Sequence, residues 1–194
     1  VDPEPTTAPV ATEASIDFED GNYGFAMVRT KPRKADFSLL SLVDYNGSKA
    51  LFVENQGGAE MHVGIDVDAI LGNKVTEVRR ISMTVGTVHP NDEFAAVSGY
   101  LYAFTGETLA ENKLESWSVY MAKKNPKVVT FTMPEGVSFT AGNDNYIALA
   151  LMEDVGTAKG SFYIDDICFY DAAGNLLKGD TTVVMEAPNG FLAV

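Results

Sequence analysis

Apolar residues recur at every second position along most of this sequence, and no other feature constrains the fold as strongly. Segment 61–67 reads MHVGIDV, with apolar side chains at its odd positions. The same alternation returns in segments 81–86, 100–104, 129–133 and 147–152, and a last long strand is expected over 162–170. A period of two places successive side chains on opposite faces of a β-strand, whereas helices repeat at about 3.6 residues. We therefore expect an all-β fold of about ten strands, with one helical turn at Asp68–Leu71.

Turn signals separate the alternating segments. The strongest is Asn46-Gly47, which stands between the apolar segments 39–44 and 50–54. Asn-Gly accepts the positive φ angles of a tight two-residue turn, so it predicts a β-hairpin. A short strand is also expected at Ile16–Glu19. Many short strands with turns between them are typical of an antiparallel two-sheet β-sandwich or of a barrel.

The two ends of the chain have a different composition from its middle. Residues 1–15 (VDPEPTTAPVATEAS) are rich in Pro, Thr and Ala and have no apolar period, as in a linker. Such linkers join modules of larger secreted proteins, so covalently linked neighbouring modules are expected. The sandwich domain is expected over residues 16–177. Residues 178–194 are expected to form a last edge strand or to lead into another module.

The charge of the chain limits its partners. The sequence has 14 basic and 27 acidic residues, a net charge of −13. Such a surface repels phosphate backbones and anionic lipids, so we expect neither nucleic acid nor a membrane as partner. Neutral sugars and calcium suit this charge, and an acidic polysaccharide does so only where Lys and Arg cluster locally. The one cysteine, Cys168, cannot form a disulfide within the chain and is expected to be a small buried apolar residue.

Catalytic motifs are missing from the sequence. It holds no nucleophile elbow, zinc-protease or phosphate-loop pattern. Its two histidines, His62 and His89, stand apart and do not form a zinc site. His62 lies on the polar side of its strand and is a candidate to bind a sugar hydroxyl. With 27 acidic residues, a small jelly-roll glycoside hydrolase or lyase stays open as an alternative.

An aromatic stripe is the main candidate for ligand binding. Tyr100, Tyr102 and Phe104 share one face of a strand, and Leu101 and Ala103 share the other. If the aliphatic residues are core, the rings form a wall against which the C–H face of a sugar packs, above small residues of neighbouring strands. In the alternative, the rings are core and the aliphatic residues face outward.

Further candidates come from one strand and one loop. In segment 115–121 (ESWSVYM), Trp117 is either a core anchor or a sugar platform, and Tyr120 lies on the other face. The loop 55–58 (NQGG) offers an amide from Gln56. The predicted ligand-binding residues are therefore Tyr100, Tyr102, Trp117, Tyr120, His62 and Gln56.

Two short motifs resemble the paired signatures of a known group. The segments 18–21 (FEDG) and 162–167 (FYIDDI), with the hairpin 45–51 (YNGSKAL), are similar to those of jelly-roll carbohydrate-binding modules attached to secreted cellulases, xylanases and mannanases. The resemblance spans roughly residues 16–171. It implies a jelly-roll sandwich and a non-catalytic, secreted or cell-surface, extracellular module that targets its attached enzyme to a polysaccharide.

The same resemblance implies a structural calcium ion where the first strand meets the last. Glu19 and Asp165 would be ligands, with backbone oxygens near Gly21 and Lys49 completing the shell. Calcium prefers six to eight hard oxygen ligands and tolerates irregular geometry, which suits this set. In the alternative, these residues form an ordinary turn and an ordinary solvated strand start.

The expected ligand is a plant-type neutral polysaccharide, a β-glucan or a β-mannan, bound by a monomer. An adhesion or scaffold sandwich that binds a protein partner is the alternative, and it would carry an apolar patch in place of a polar cleft with rings.

Overall fold

The computed structural model describes residues 13–23, 26–30, 34–35, 39–54, 61–88, 96–106, 112–122, 126–142, 144–153 and 161–179. They form two antiparallel β-sheets packed face to face, which confirms the predicted sandwich. Residues 1–12 of the predicted linker and residues 180–194 lie outside this set. No helix within the described ranges is long and apolar enough to cross a membrane.

Eleven strands are described. In chain order they are β1 (Ala26–Thr30), β2 (Lys34–Ala35), β3 (Leu40–Tyr45), β4 (Ser48–Val53), β5 (Met61–Asp66), β6 (Arg80–Val88), β7 (Ala96–Thr105), β8 (Lys113–Ala122), β9 (Lys127–Thr132), β10 (Asn145–Glu153) and β11 (Ser161–Tyr170). The six-stranded sheet has the order β2-β1-β5-β10-β7-β8, and the five-stranded sheet has the order β3-β4-β11-β6-β9. Apart from the consecutive pairs β1–β2, β3–β4 and β7–β8, the strands that are neighbours in a sheet are far apart in sequence.

The main core lies between the sheets and takes one face of each strand. In β5 it takes Val63 and Ile65, and in β10 it takes Ile147, Leu149 and Leu151. Full burial of such a side chain contributes about 1.5–3 kcal/mol to folding. The predicted alternation is confirmed in both strands, and it decides which face of each strand turns inward.

β3 and β4 form the hairpin that the Asn-Gly signal predicts. Asn46 and Gly47 have φ angles of 52° and 88°, as a tight two-residue turn requires. The hairpin tip reaches over the outer face of the five-stranded sheet. There the Tyr45 ring stacks on Tyr163 at a centroid distance of 4.0 Å, and the Tyr45 hydroxyl lies against Gly86 of β6.

The strand predicted at Ile16–Glu19 is wrong beyond its first residue. Ile16 pairs with Ile167 through backbone hydrogen bonds of 3.0 and 2.9 Å. Two residues later Phe18 takes a positive φ of 59° and buries its ring in the core. The chain therefore turns away from β11 after a single pair.

The predicted helical turn is present and one residue longer. Helix α1 (Val67–Leu71) follows β5, and a 3-10 helix (Gly72–Glu77) continues it. Asp66 caps the start of α1, because its carboxylate accepts a hydrogen bond of 3.0 Å from the Ala69 backbone N–H. Gly72 ends α1 with a φ of 56°.

The first and last described residues lie side by side. The Ser15 hydroxyl donates a hydrogen bond of 2.7 Å to the Leu177 carbonyl, and Glu13 forms an ion pair of 2.8 Å with Lys178. Next to these contacts Cys168 is buried, as predicted. The contacts of the domain thus extend slightly beyond both predicted boundaries.

Candidate functional site

The outer face of the six-stranded sheet carries the predicted aromatic stripe. Tyr100 of β7 pairs with Ala150 of β10 on one side and with Ser118 of β8 on the other. Tyr102 lies one row further along β7, next to Ala148. Both rings therefore stand between strands whose side chains at these positions are small.

The core residues of β7 decide which way the stripe faces. Leu101 and Ala103 are fully buried in the main core. Because alternate residues of a strand face opposite ways, Tyr100 and Tyr102 lie on the outer face. Tyr100 is 40% exposed and Tyr102 is half-buried, with ring centroids 5.8 Å apart and planes tilted by 32°. Of the two alternatives, the structure has the rings outside the main core.

The third ring of the stripe is not available to a ligand. Phe104 is fully buried and stacks on Tyr146 at a centroid distance of 5.3 Å, in a small cluster that includes Ala148 and packs against Tyr102. Ala150 is also fully buried. The small residues of β10 are therefore buried, whereas Ser118 of β8 is exposed.

Tyr120 lies on the same face, at the end where Tyr100 is exposed. It pairs with Ser98, while Tyr100 pairs with Ser118, so the two rings are diagonal neighbours. Diagonal positions lie about 7–8 Å apart, within reach of aromatic side chains. Tyr120 is 57% exposed. Two exposed rings and two serine residues thus alternate at the four corners of one patch.

Trp117 lies on the opposite side of β8 and is not part of this patch. Its indole N–H donates a hydrogen bond of 3.3 Å to the Thr132 carbonyl, and its ring lies 5.5 Å from the Phe131 ring. Both partners belong to β9 of the other sheet. Trp117 therefore packs against the main core and joins the open edges of the two sheets, which is the core-anchor alternative.

The remaining predicted ligand residues are placed only in part. His62 of β5 pairs with Ala150, which puts it in the same row of the sheet as Tyr100. Gln56 and the loop 55–58 lie outside the described residues, as does His89.

Near the start of the described chain, four carboxylates form a second feature, which we call the acidic corner: Asp17, Glu19, Asp165 and Asp166. Glu19 accepts a hydrogen bond of 2.6 Å from the Lys49 backbone N–H. Asp165 accepts one of 2.6 Å from the Ser48 hydroxyl and one of 2.8 Å from the Asp166 backbone N–H. The structure therefore brings Glu19, Asp165 and the backbone of Lys49 close together, with the Lys49 N–H directed at Glu19.

Burial, together with neighbouring negative charge, raises the pKa of two carboxylates of the acidic corner, Asp165 and Asp166. Burial raises the pKa of Asp165 to about 6, the Ser48 hydroxyl and the Asp166 N–H oppose this rise, and the charges of Asp166 and Glu19 add to it. Burial, with the charges of Asp17 and Glu19, also raises the pKa of Asp166. These negative charges disfavour one another at neutral pH, and a divalent cation would offset them.

The backbone at the acidic corner is unusual. Asp166 has a positive φ of 47°, and the pairing of β11 with β6 shifts register between Asp165 and Cys168. The bulge places the buried Asp165 next to the half-buried Asp166. Gly21 closes the facing turn, and its N–H donates a hydrogen bond of 3.0 Å to the Phe18 carbonyl.

The donor set at the acidic corner is chemically suited to calcium, since it consists of hard oxygens. Within the described ranges, no group of three or more His, Cys, Asp or Glu side chains is already arranged around one point to hold a metal. Glu19, Asp165 and backbone carbonyls would therefore form the shell together. Asp17 and Asp166 were not predicted, although each stands next to or near a predicted ligand in the sequence.

Comparison with known proteins indicates the fold. No protein-family model and no curated protein matches the sequence. Among solved structures, one from work on the promiscuous specificity of carbohydrate-binding modules of the β-sandwich superfamily matches with a TM-score of 0.52 and 16% identity. The match covers 85% of this chain and 64% of that chain, so this chain spans less than two thirds of the length of that structure.

Two further solved structures are similar at a lower level. One is a carbohydrate-binding module specific for non-crystalline cellulose, with a TM-score of 0.47 and 10% identity over 67% of this chain and 79% of that one. The other is a module studied for specific mannan recognition, with a TM-score of 0.46 and 13% identity over 81% and 93%. The first of the three matches shows that this chain has the β-sandwich fold found among carbohydrate-binding modules.

Proposed function

We propose that this chain is a non-catalytic module that binds a polysaccharide through Tyr100, Tyr102 and Tyr120. One observation carries the proposal: these rings lie outside a main core that is already filled from the other face of the same strands. Exposed rings cost free energy in water, and a ligand that covers them recovers it. We call the outer face of the six-stranded sheet, around Tyr100, Tyr102 and Tyr120, the open face.

The chemistry of the open face suits a sugar chain. A pyranose ring has an apolar C–H face that packs on an aromatic ring, and hydroxyls that need hydrogen-bond partners. The tyrosines supply the rings and phenolic hydroxyls, and Ser98 and Ser118 stand between the exposed rings. Each ring contact contributes roughly 1 kcal/mol. Several contacts of this size give micromolar to millimolar affinity for one segment of a polymer.

The finer identity of the ligand and of the parent protein is also proposed. A neutral β-glucan or β-mannan backbone suits tyrosine platforms in a chain with a net charge of −13. An extracellular module tethered to a carbohydrate-active enzyme gains from weak binding, because capture of the polymer raises the enzyme's effective concentration at its substrate.

We also propose that the acidic corner holds a structural calcium ion through Glu19 and Asp165. Bound calcium would supply positive charge where carboxylates now repel one another. Lys49 and Ser48 belong to the β3–β4 hairpin, whereas Glu19 and Asp165 come from the two ends of the domain. The ion would therefore stabilise contacts between segments that are distant in sequence.

The test compares binding and activity on the same polymers. Affinity gel electrophoresis against β-glucan, β-mannan and xylan measures binding, and release of reducing sugar measures hydrolysis. Tyr100→Ala is expected to weaken binding about fivefold. Val128→Ala is the control, since Val128 is 65% exposed on β9 of the other sheet and should have no effect.

Three results would contradict the proposal. Wild-type protein that binds none of the polymers would exclude polysaccharide binding and favour a protein partner. Undiminished binding by Tyr100→Ala would move the site elsewhere. Release of sugar by the wild type would show that the module is catalytic.

A further inference from the structure

The tip of the β3–β4 hairpin carries a reactive pair of residues. Asn46 and Gly47 are both exposed, and the strand pairing begins on either side of them with Tyr45 and Ser48. The backbone groups of the two tip residues therefore lie outside the β-ladder. Among the described residues, no atom lies within 4 Å of a Cβ built on Gly47. A side-chain amide thus stands beside an unhindered backbone nitrogen.

An asparagine that precedes glycine reacts with its own backbone. The Gly47 nitrogen loses its proton and attacks the Cγ atom of Asn46, so that a new C–N bond closes a succinimide ring and the side-chain nitrogen leaves as ammonia. Water then opens the ring at one of its two carbonyls. The products are aspartate and isoaspartate, and in isoaspartate the main chain runs through the side-chain carbon. Glycine permits the attack because it has no Cβ to shield its nitrogen.

The other described asparagine residues lack this arrangement. Each of them is followed by Lys, Tyr or Leu: Asn22, Asn73, Asn112, Asn145 and Asn175. Asn145 is also fully buried and donates hydrogen bonds to Asp68, and the Asn175 amide donates one to Asp171. The second Asn-Gly pair of the sequence, Asn189-Gly190, lies outside the described residues. Within the described ranges, the chemistry therefore selects Asn46.

The position of Asn46 gives the reaction a structural consequence. On one side of the turn, the Tyr45 ring stacks on Tyr163 at a centroid distance of 4.0 Å. On the other side, the Ser48 hydroxyl donates a hydrogen bond of 2.6 Å to Asp165. A two-residue turn fixes the register of both strands, so an additional main-chain atom at position 46 displaces these two contacts relative to each other. The new carboxylate also adds negative charge beside the acidic corner.

We propose that Asn46 is a site of spontaneous modification, and that its conversion to isoaspartate loosens the hairpin tip from the five-stranded sheet. This inference concerns the covalent chemistry of the chain and does not depend on the ligand of the open face. It gives the hairpin tip a limited lifetime. The contacts of Tyr45 with Tyr163 and of Ser48 with Asp165 are intact in the new protein and weakened in the aged one.

The test follows the purified protein during incubation at mildly alkaline pH, at which the Gly47 N–H is more readily deprotonated. Peptide mapping by mass spectrometry, with methylation by an isoaspartyl methyltransferase, locates the product. We expect isoaspartate at position 46 and none at Asn73, which is also exposed but precedes Lys74. Anion exchange separates the modified form by its additional charge. That form should melt at least about 3 °C below the unmodified protein.

Asn46→Gly is the matched control, because Gly-Gly also accepts the positive φ angles of the turn but has no side-chain amide. This variant should keep its own melting temperature throughout the same incubation. If Asn46 stays intact in the folded protein, whether or not it converts in urea, the turn is not a modification site and the inference is wrong. A modified form that melts with the unmodified protein would overturn the loosening of the hairpin, as would an equal loss of stability in aged Asn46→Gly.

Discussion

Both outer faces of the sandwich carry aromatic rings, but the rings are arranged differently. On the open face, Tyr100 and Tyr120 are 40% and 57% exposed. On the outer face of the five-stranded sheet, Tyr45 stacks on Tyr163 with an interplanar angle of 14°, and Phe52 lies 5.2 Å from Tyr163. We call this second surface the covered face. There the protein supplies the ring contact that a ligand would make on the open face.

The difference shows that aromatic residues on a sheet do not by themselves make a site. The hairpin tip at Asn46-Gly47 turns Tyr45 over β11 and β6, and Gly86 leaves the space that the Tyr45 hydroxyl occupies. Burial against Tyr163 raises the pKa of the Tyr45 hydroxyl, the main cause being loss of water. Rings that cover one another stabilise the fold, and rings that remain exposed are available to a partner.

The largest expected effect comes from the glycine next to the open rings. A Cβ on Gly99 would lie 1.8 Å from the backbone oxygen of Ala150, so β7 and β10 would have to separate. Gly99→Ala should destabilise the protein by about 3 kcal/mol in urea unfolding. In Gly86→Ala the clash is with the Tyr45 hydroxyl, which can move, so the cost should be only about 1 kcal/mol. Equal losses of unfolding free energy in Gly99→Ala and Gly86→Ala would contradict this difference between a backbone clash and a side-chain clash.

Removing one ring from each face should separate stability from binding. Tyr45→Ala loses a stacked, half-buried ring and is expected to cost about 2 kcal/mol of unfolding free energy, with polysaccharide affinity unchanged. Tyr100→Ala should cost less than about 1 kcal/mol and reduce affinity. Chemical denaturation and affinity electrophoresis on both variants provide the measurement. If Tyr45→Ala loses affinity at full stability, the covered face is the binding site.

Calcium should act on the hairpin that forms the covered face and leave the open face unaffected. At 100 times its Kd, an ion that binds only the folded state adds about 2.7 kcal/mol of stability. Melting temperature in calcium and in EDTA measures this gain. Asp165→Asn should abolish the response, while Asp20→Asn, whose carboxylate accepts from the Asn22 N–H in the same turn, should keep it. An unchanged melting temperature in calcium for the wild type would contradict the proposed site.

The smallest expected effect is a pH dependence at Asp66, the carboxylate at the far end of the open face. Burial, with the charges of Asp68 and Asp144, raises the pKa of Asp66, and the Ala69 N–H opposes the rise. Between the ordinary carboxyl pKa and the raised pKa of Asp66, the folded state binds more protons than the unfolded state. The free energy of unfolding therefore falls as pH rises through this window. Asp66→Asn keeps a capping side chain and should reduce this slope in unfolding measured between about pH 4 and 6, while the contributions of Asp165 and Asp166 remain. A slope identical to that of the wild type would exclude Asp66 as its source.

Local patterns predicted the faces of the strands well. The alternation in β5 and the Asn46-Gly47 turn each depend on a few adjacent residues, and both predictions are confirmed. The pair β1 and β2 was not predicted, because Ala26–Thr30 is short and Pro32 interrupts the sequence that follows it. An edge hairpin of this kind is stabilised by pairing with β5, a contact that a local pattern does not contain.

The candidate site was predictable only as a set of rings. The alternation gave Tyr100, Tyr102 and Phe104 the same face, but whether each ring is exposed depends on its neighbours in the sheet. Phe104 is covered because Tyr146 pairs with it, and that pairing joins residues that are 42 positions apart, from 104 to 146. The position of Tyr100 beside Ala150 depends in the same way on the pairing of β7 with β10.

The most direct test of the central claim is an NMR titration of the ¹⁵N-labelled protein with an oligosaccharide cut from the polymer that it binds most tightly. We predict that the amides perturbed on binding cluster at residues 98–102 and 116–120, around Tyr100 and Tyr120. The amides around Tyr45 and Tyr163 should stay unchanged in the same titration. Perturbations centred on the covered face, with the open face silent, would contradict the account.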